Sequence, residues 1–288
     1  GQSPRLSSHT REPYGQIHPA DATRFKIDDG TLVRISSDQG TMIVRAQVTE
    51  DQRRGSVFVP IHWNARFASH ARVDALVRGH VDPVSGQPES KYTPVRIEAY
   101  QPAWHGFLLS RRRLVPHIAS YWTCARGQDV WGYELAGKQT PDDWTRSARA
   151  LLCTDDEHAD WIEYLDVGAQ RYRAACLVDN RLDSCIFIGP ESRLPERAHL
   201  AALFTDAPLD PHQRASLLSG RPVDGQPARE PAVCACFNVG RNQILKIVRD
   251  QHLDSVEQIG ALLKAGTNCG SCVPELRGLL AEGRKKSA

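Results

Sequence analysis

The chain has 288 residues, 41% of them hydrophobic, enough for two or three domains with ordinary cores. Its 36 basic side chains are nearly matched by 34 acidic ones, and the net charge of +2 argues against an electrostatic nucleic-acid binder. No apolar run approaches membrane-spanning length, since Ser184–Gly189 is only strand-sized, and no secretory leader is visible, so the expected location is the cytoplasm, with neither nucleic acid nor membrane as partner.

The chain opens on Gly1, and its single methionine, Met42, lies inside a strand-like run; both features lead us to expect a segment of a longer protein. Ile17–Ala22 reads as a short helical turn with Pro19 at its first helical position. Strands follow at Thr31–Ser36, Met42–Val48 and Ser56–Pro60, separated by the turn signals Asp29-Gly30, Gln39-Gly40 and Arg54-Gly55. A further strand at Thr93–Ile97 carries Pro94, which places it at an edge or a strand start. Short strands at this interval suggest a barrel or sandwich.

From Trp104 the composition changes. Five of the six tryptophans, Trp104, Trp122, Trp131, Trp144 and Trp161, fall in the first half of a mixed region and read as packing. A helix is expected from Thr140 as N-cap, with Pro141 first, to about Leu152. A β meander follows at Trp161–Val167, Tyr172–Val178 and Ser184–Ile188, with Asp179-Asn180 as one turn. Asp210-Pro211 caps another short helix, and the Pro- and Gly-rich stretch from Gly220 to Pro231 reads as a linker. The expected domains are 1–103, 104–225 and 226–288.

The last segment carries the most informative pattern, Cys234-Ala235-Cys236 and Cys269-Gly270-Ser271-Cys272. Between the pairs, Ile244, Leu245, Ile247 and Val248 give one apolar helical face, and Ser255 to Gln258 form a capping box before Ile259, Leu262 and Leu263. Gly266 is placed to end that helix, and Pro274 to start the last one. Clustered thiols in a chain without secretory features point to metal rather than disulfides. Four thiolates suit a [2Fe–2S] cluster. Structural zinc, the alternative, also accepts four cysteines but usually spaces each pair by two to four residues, and the CxC pair departs from that. The remaining cysteines, Cys124, Cys153, Cys176 and Cys185, are scattered and read as ordinary buried thiols.

The segment from about Val233 to Leu280 resembles the bacterioferritin-associated-ferredoxin type of [2Fe–2S] domain, on its CxC, long spacer and Ala265–Glu275 run. That resemblance implies a small all-α domain with Cys234, Cys236, Cys269 and Cys272 as cluster ligands. Residues 1–100 resemble the molybdopterin-dinucleotide-binding domain of bacterial molybdenum oxidoreductases, assimilatory nitrate reductases above all. The matching runs are Gly1–Leu6, Ile17–Ala22, Gly55–Trp63, Ala71–Leu76 and Asp82–Lys91. This implies a double-psi β-barrel, so that the fold class is multidomain and mixed: the barrel, an α+β middle region and the cluster domain.

The resemblance further implies one wall of a site for molybdenum bis(molybdopterin guanine dinucleotide). Ser3 and Arg5 would lie on the entry loop, Gln87 and Ser90 would offer neutral hydrogen bonds, and Lys91 would pair with a phosphate or pterin oxygen. His62 and Trp63 would line the substrate funnel, with no catalytic residue in this segment. A [4Fe–4S] motif and the molybdenum ligand would lie upstream of Gly1. The implied reaction is reduction of nitrate to nitrite, fed by an electron donor such as a reductase subunit, ferredoxin or flavodoxin. The alternatives are another molybdopterin oxidoreductase, such as a formate dehydrogenase, or a stand-alone iron–sulfur electron-transfer module. Tyr172–Gly189 is similar to the final strands of the flavin-dependent nitrite reductase large subunit; without a GxGxxG motif, neither flavin nor nicotinamide is inferred.

Overall fold

A computed structural model describes residues 12–61, 63–89, 92–127, 130–152, 158–221, 232–234, 236–237 and 239–285. The first unit is a five-stranded mixed sheet made of β1 (Tyr14–Ile17), β2 (Leu32–Ser36), β3 (Thr41–Val48), β4 (Val57–Phe58) and β5 (Arg96–Ala99). The order is β4-β1-β3-β2-β5, with β1 parallel to β3 and the other pairs antiparallel. The strand that follows Pro94 does lie at an edge, where a missing N–H costs nothing. Helix α1 (Pro19–Phe25) begins at Pro19 and is capped by His18, whose Nδ1 accepts the Ala20 N–H at 3.0 Å. Ile17, Val33, Ile35, Met42 and Val44 form the buried center.

The second unit is a six-stranded, wholly antiparallel sheet in the order β7-β8-β6-β11-β10-β9. Its strands are β6 (Trp104–Ser110), β7 (Tyr121–Arg126), β8 (Trp131–Gly137), β9 (Ala159–Asp166), β10 (Arg171–Val178) and β11 (Arg181–Gly189). Both faces are covered. On one, Leu108, Tyr172, Ile186 and Ile188 pack with helix α2 (Trp144–Leu152) and the tryptophans; on the other, Phe107, Leu177, Cys185 and Phe187 pack with Leu200, Phe204 and Leu217. The second face is closed by α3 (Arg197–Ala201) and α4 (Pro211–Ser216), whose capping box pairs Asp210 with Gln213.

The expected start of α2 at Thr140 is corrected to Trp144. Asp143 is the residue whose carboxylate accepts the Arg146 N–H, at 2.9 Å, so the helix begins after it. The meander turn is as expected: Asp179 (φ 50°) and Asn180 (φ 57°) adopt the left-handed pair that joins β10 to β11.

The two sheets share a joint. Phe67 lies in the tryptophan-lined core of the second unit, and Leu32 and Ile43 pack with Tyr121 and Ala136. Ala68 bridges Thr123, the Tyr121 hydroxyl donates to Glu12 at 3.0 Å, and Glu12 forms a two-pronged pair with Arg45 at 2.8 and 3.0 Å. Beside it, Arg197 holds Glu134 at 2.6 and 3.0 Å.

The third unit has its own core. A two-stranded ribbon of β12 (Ala232–Cys234) and β13 (Val239–Gly240) precedes α5 (Arg241–Asp250), α6 (Val256–Leu263) and α7 (Val273–Lys285). Where an all-helical unit was expected, the ribbon adds a short β element at the first cysteine pair. Ile244, Val248, Ile259, Leu276 and Leu279 bury one another between the helices.

Candidate functional site

The cysteines of the third unit come together from opposite ends of its chain. Cys234 closes β12, and Cys236 lies just beyond it in the turn toward β13. Cys269 and Cys272 sit in the loop that runs into α7, and the packing of α5 against α7 carries this loop back to the ribbon. Ser255 caps α6 by accepting the Gln258 N–H, while the Gln258 side chain reaches Asp254 N–H at 2.8 Å rather than closing the expected box. Lys264, not Gly266, takes the left-handed C-cap position (φ 60°). Gly266 (φ 83°) and Gly270 (φ 73°) follow in the same region of backbone space, and two such turns in quick succession wrap the loop around the thiols.

The sulfurs of Cys236 and Cys269 are 3.3 Å apart, and Cys234 and Cys272 interact as a second pair. The second pair is buried, whereas Cys236 is half-buried and Cys269 exposed. Ser271, through its hydroxyl and its backbone N–H, and then Cys236 lower the Cys269 thiol to about 7. Burial and the neighboring Cys234 push Cys272 up to about 11. Among the described residues no three His, Cys, Asp or Glu side chains are gathered closely enough for a single metal ion. Four cysteines paired across the two motifs suit the four thiolates that a [2Fe–2S] cluster takes.

The dinucleotide-binding candidates are less concentrated. Gln87 lies on the exposed turn of residues 82–88, where Asp82 accepts the N–H groups of Val84 and Ser85 at 3.0 and 2.7 Å. Val81 and Pro88 bridge its base. Trp63 is half-buried against the tryptophan-lined core at the joint. Ser3, Arg5, His62, Ser90 and Lys91 lie outside the described residues. Cys124, Cys176 and Cys185 are buried in the second unit, as expected; Cys153 also lies outside the described residues.

Comparison with known proteins adds the context. Residues 1–94 match the model of the molydopterin dinucleotide binding domain, and residues 232–282 match that of the BFD-like [2Fe-2S] binding domain. The cofactors of this chain are accordingly a molybdopterin dinucleotide and a [2Fe–2S] cluster. The chain is 34% identical to a nitrate reductase of Klebsiella oxytoca over 98% of its own length and 32% of the relative's. It is 36% identical to the assimilatory nitrate reductase catalytic subunit of Bacillus subtilis, over 33% of this chain and 13% of that one. An F420-dependent formate dehydrogenase subunit alpha of Methanocaldococcus jannaschii is 34% identical over 32% of this chain and 13% of its own. The chain thus spans about a third, or less, of these curated relatives.

Proposed function

We infer that this chain, a dinucleotide-binding domain joined through a second sheet to a BFD-like [2Fe–2S]-binding domain, works as the C-terminal part of a molybdenum-dependent assimilatory nitrate reductase in the cytoplasm. The observation that carries the reading is the convergence of Cys234 with Cys272 and Cys236 with Cys269 on the same chain as a molydopterin domain. A one-electron carrier on the chain that walls the molybdenum site gives electrons a place to enter. Nitrate needs two electrons and two protons to become nitrite and water, so the carrier is filled twice per turnover. The bound molybdenum cofactor supplies the oxygen-atom transfer.

In this reading the four cysteines hold the cluster, and the exposed Cys236–Cys269 side faces the electron donor, a reductase subunit, ferredoxin or flavodoxin. Residues 1–103 form the double-psi barrel wall. Ser3, Arg5, Gln87, Ser90 and Lys91 hold one molybdopterin guanine dinucleotide through neutral and charge-assisted hydrogen bonds, and His62 and Trp63 flank the substrate path. Formate oxidation is the second reading, favored by the formate dehydrogenase relative, whose similarity covers only about the first domain's share of the chain. The nitrate reductase similarity runs through all three units, and that is why nitrate leads.

The test has two parts. Anaerobically reconstituted chain is expected to carry two irons and two acid-labile sulfides and to be bleached reversibly by dithionite. Colorless protein with stoichiometric zinc would refute the cluster. The full-length enzyme with reduced viologen is expected to yield nitrite from nitrate and to lose molybdenum in Lys91→Ala, with the cluster spectrum intact. Formate oxidation without nitrate turnover would select the second reading.

A further inference from the structure

A cavity of about 650 Å³ opens at one end of the second sheet, apart from the cysteines. Its walls are the ends of β10 and β11, the loop of residues 190–196 and the turn of residues 219–221. Four arginines line it, Arg171, Arg173, Arg193 and Arg221. Arg173 is committed to the scaffold: its Nη1 donates to the carbonyls of Leu218 at 2.6 Å and Ser219 at 3.2 Å, and its guanidinium lies over the Phe187 ring. That contact fixes the turn carrying Arg221 against the sheet.

The other three arginines make no ion pair among the described residues, although exposed Glu191 and Glu196 line the same cavity. Burial, and then the like charge of Arg171, weaken the hold of Arg173 on its proton, and four arginines against Glu191 and Glu196 leave the lining with a net positive charge. His199 also lines the cavity, with its Nε2 turned away into the protein. Ile188, Pro190, Leu194 and Pro195 supply an apolar wall.

These features select a ligand class. Guanidinium groups match phosphate oxygens in geometry and charge, and several converging on one concavity suit more than one negative charge. The volume falls in the range of small organic ligands, roughly 300–1,000 Å³, far larger than a nitrate ion requires. We propose that this cavity binds a phosphorylated small organic molecule, with Arg171, Arg193 and Arg221 on its phosphate oxygens and the apolar wall against the organic part. The site is independent of the cysteine center and of the nitrate reading.

Isothermal titration of the 288-residue chain tests it, with inorganic pyrophosphate, ADP, orthophosphate and nitrate as probes. Pyrophosphate and ADP are expected to bind one per chain, and orthophosphate and nitrate at least about tenfold more weakly. Arg193→Gln and Arg221→Gln are each expected to weaken pyrophosphate binding about tenfold, or about 1.4 kcal/mol. Arg78→Gln, whose guanidinium is paired with Asp38 in the first unit, should leave it unchanged. Arg193 and Arg221 are exposed, so unaltered melting temperatures will separate lost binding from lost folding. Absence of binding by millimolar pyrophosphate and ADP would overturn the proposal. So would binding that survives both cavity substitutions, or nitrate binding as tight as that of pyrophosphate and lost in the same variants.

Discussion

Cys269 is exposed and Cys272 is buried, so the two ends of one CxxC loop meet different surroundings. Cys269→Ser puts a harder, less readily ionized oxygen at the exposed corner. The cluster is expected to assemble but to be lost severalfold faster on gel filtration under air, followed by visible absorbance. Equal persistence in wild type and variant would remove Cys269 from the ligand set. A second residue-scale effect lies at the joint, where burial and then the Arg45 charge lower His105 to about 4. The unfolded imidazole, near 6.5, binds a proton before the folded one does. The contribution of His105 is therefore fully present above about pH 6.5 and is lost as pH falls toward 4, on the order of 1 kcal/mol after allowing for the part of the ring that water reaches. Urea titrations across this window should show the loss in wild type and not in His105→Gln. At this scale the sequence was legible only where spacing carried chemistry. The two cysteine pairs announced themselves; Arg171, Arg193 and Arg221 did not, because distant stretches of chain bring them together and no local pattern connects them.

Among the elements, the β10–β11 hairpin shows what local signals do well. Asp179-Asn180 marked a turn, and the left-handed conformation of both residues is what short polar side chains tolerate. Asn180 also donates to the Leu209 carbonyl and accepts from Arg214 Nη1, both at 2.8 Å, which ties the turn to the start of α4. Asn180→Ala removes both bonds and keeps a strained backbone, for an expected loss of about 2–3 kcal/mol in equilibrium unfolding. A change within about 0.5 kcal/mol would show that the turn is held by its strands alone. Strands β6, β7 and β8 escaped the sequence reading for an opposite reason. β6 is buried on both faces, so Trp104–Ser110 shows no polar alternation, and the tryptophans that flank these strands read as generic packing. The start of α2 was misplaced because Thr140-Pro141 and Asp143 offer competing caps, and only the observed Asp143–Arg146 bond decides between them.

At the scale of the molecule, the first two units are expected to melt as one body and the third as another. The first two sheets are joined by the Phe67 anchor, the Leu32–Tyr121 cluster and the Glu12–Tyr121 bond, whereas the third unit closes its own core around Cys234 and Cys272. Calorimetry of the iron-loaded chain is expected to show two transitions, and chelation should lower only the one belonging to the third unit, since metal binding there is also folding energy. A single transition that shifts as a whole on chelation would mean that the third unit is energetically fused to the others. The shared joint also bears on how such proteins can be recombined. A chimera that swaps a relative's first 103 residues onto this chain would set a foreign Phe67 and Glu12 against a native Tyr121, Thr123 and Ala136, and would inherit a mismatched seam. The tolerant crossover lies beyond Arg221, where an exchange would deliver a different cluster domain and leave the seam in register.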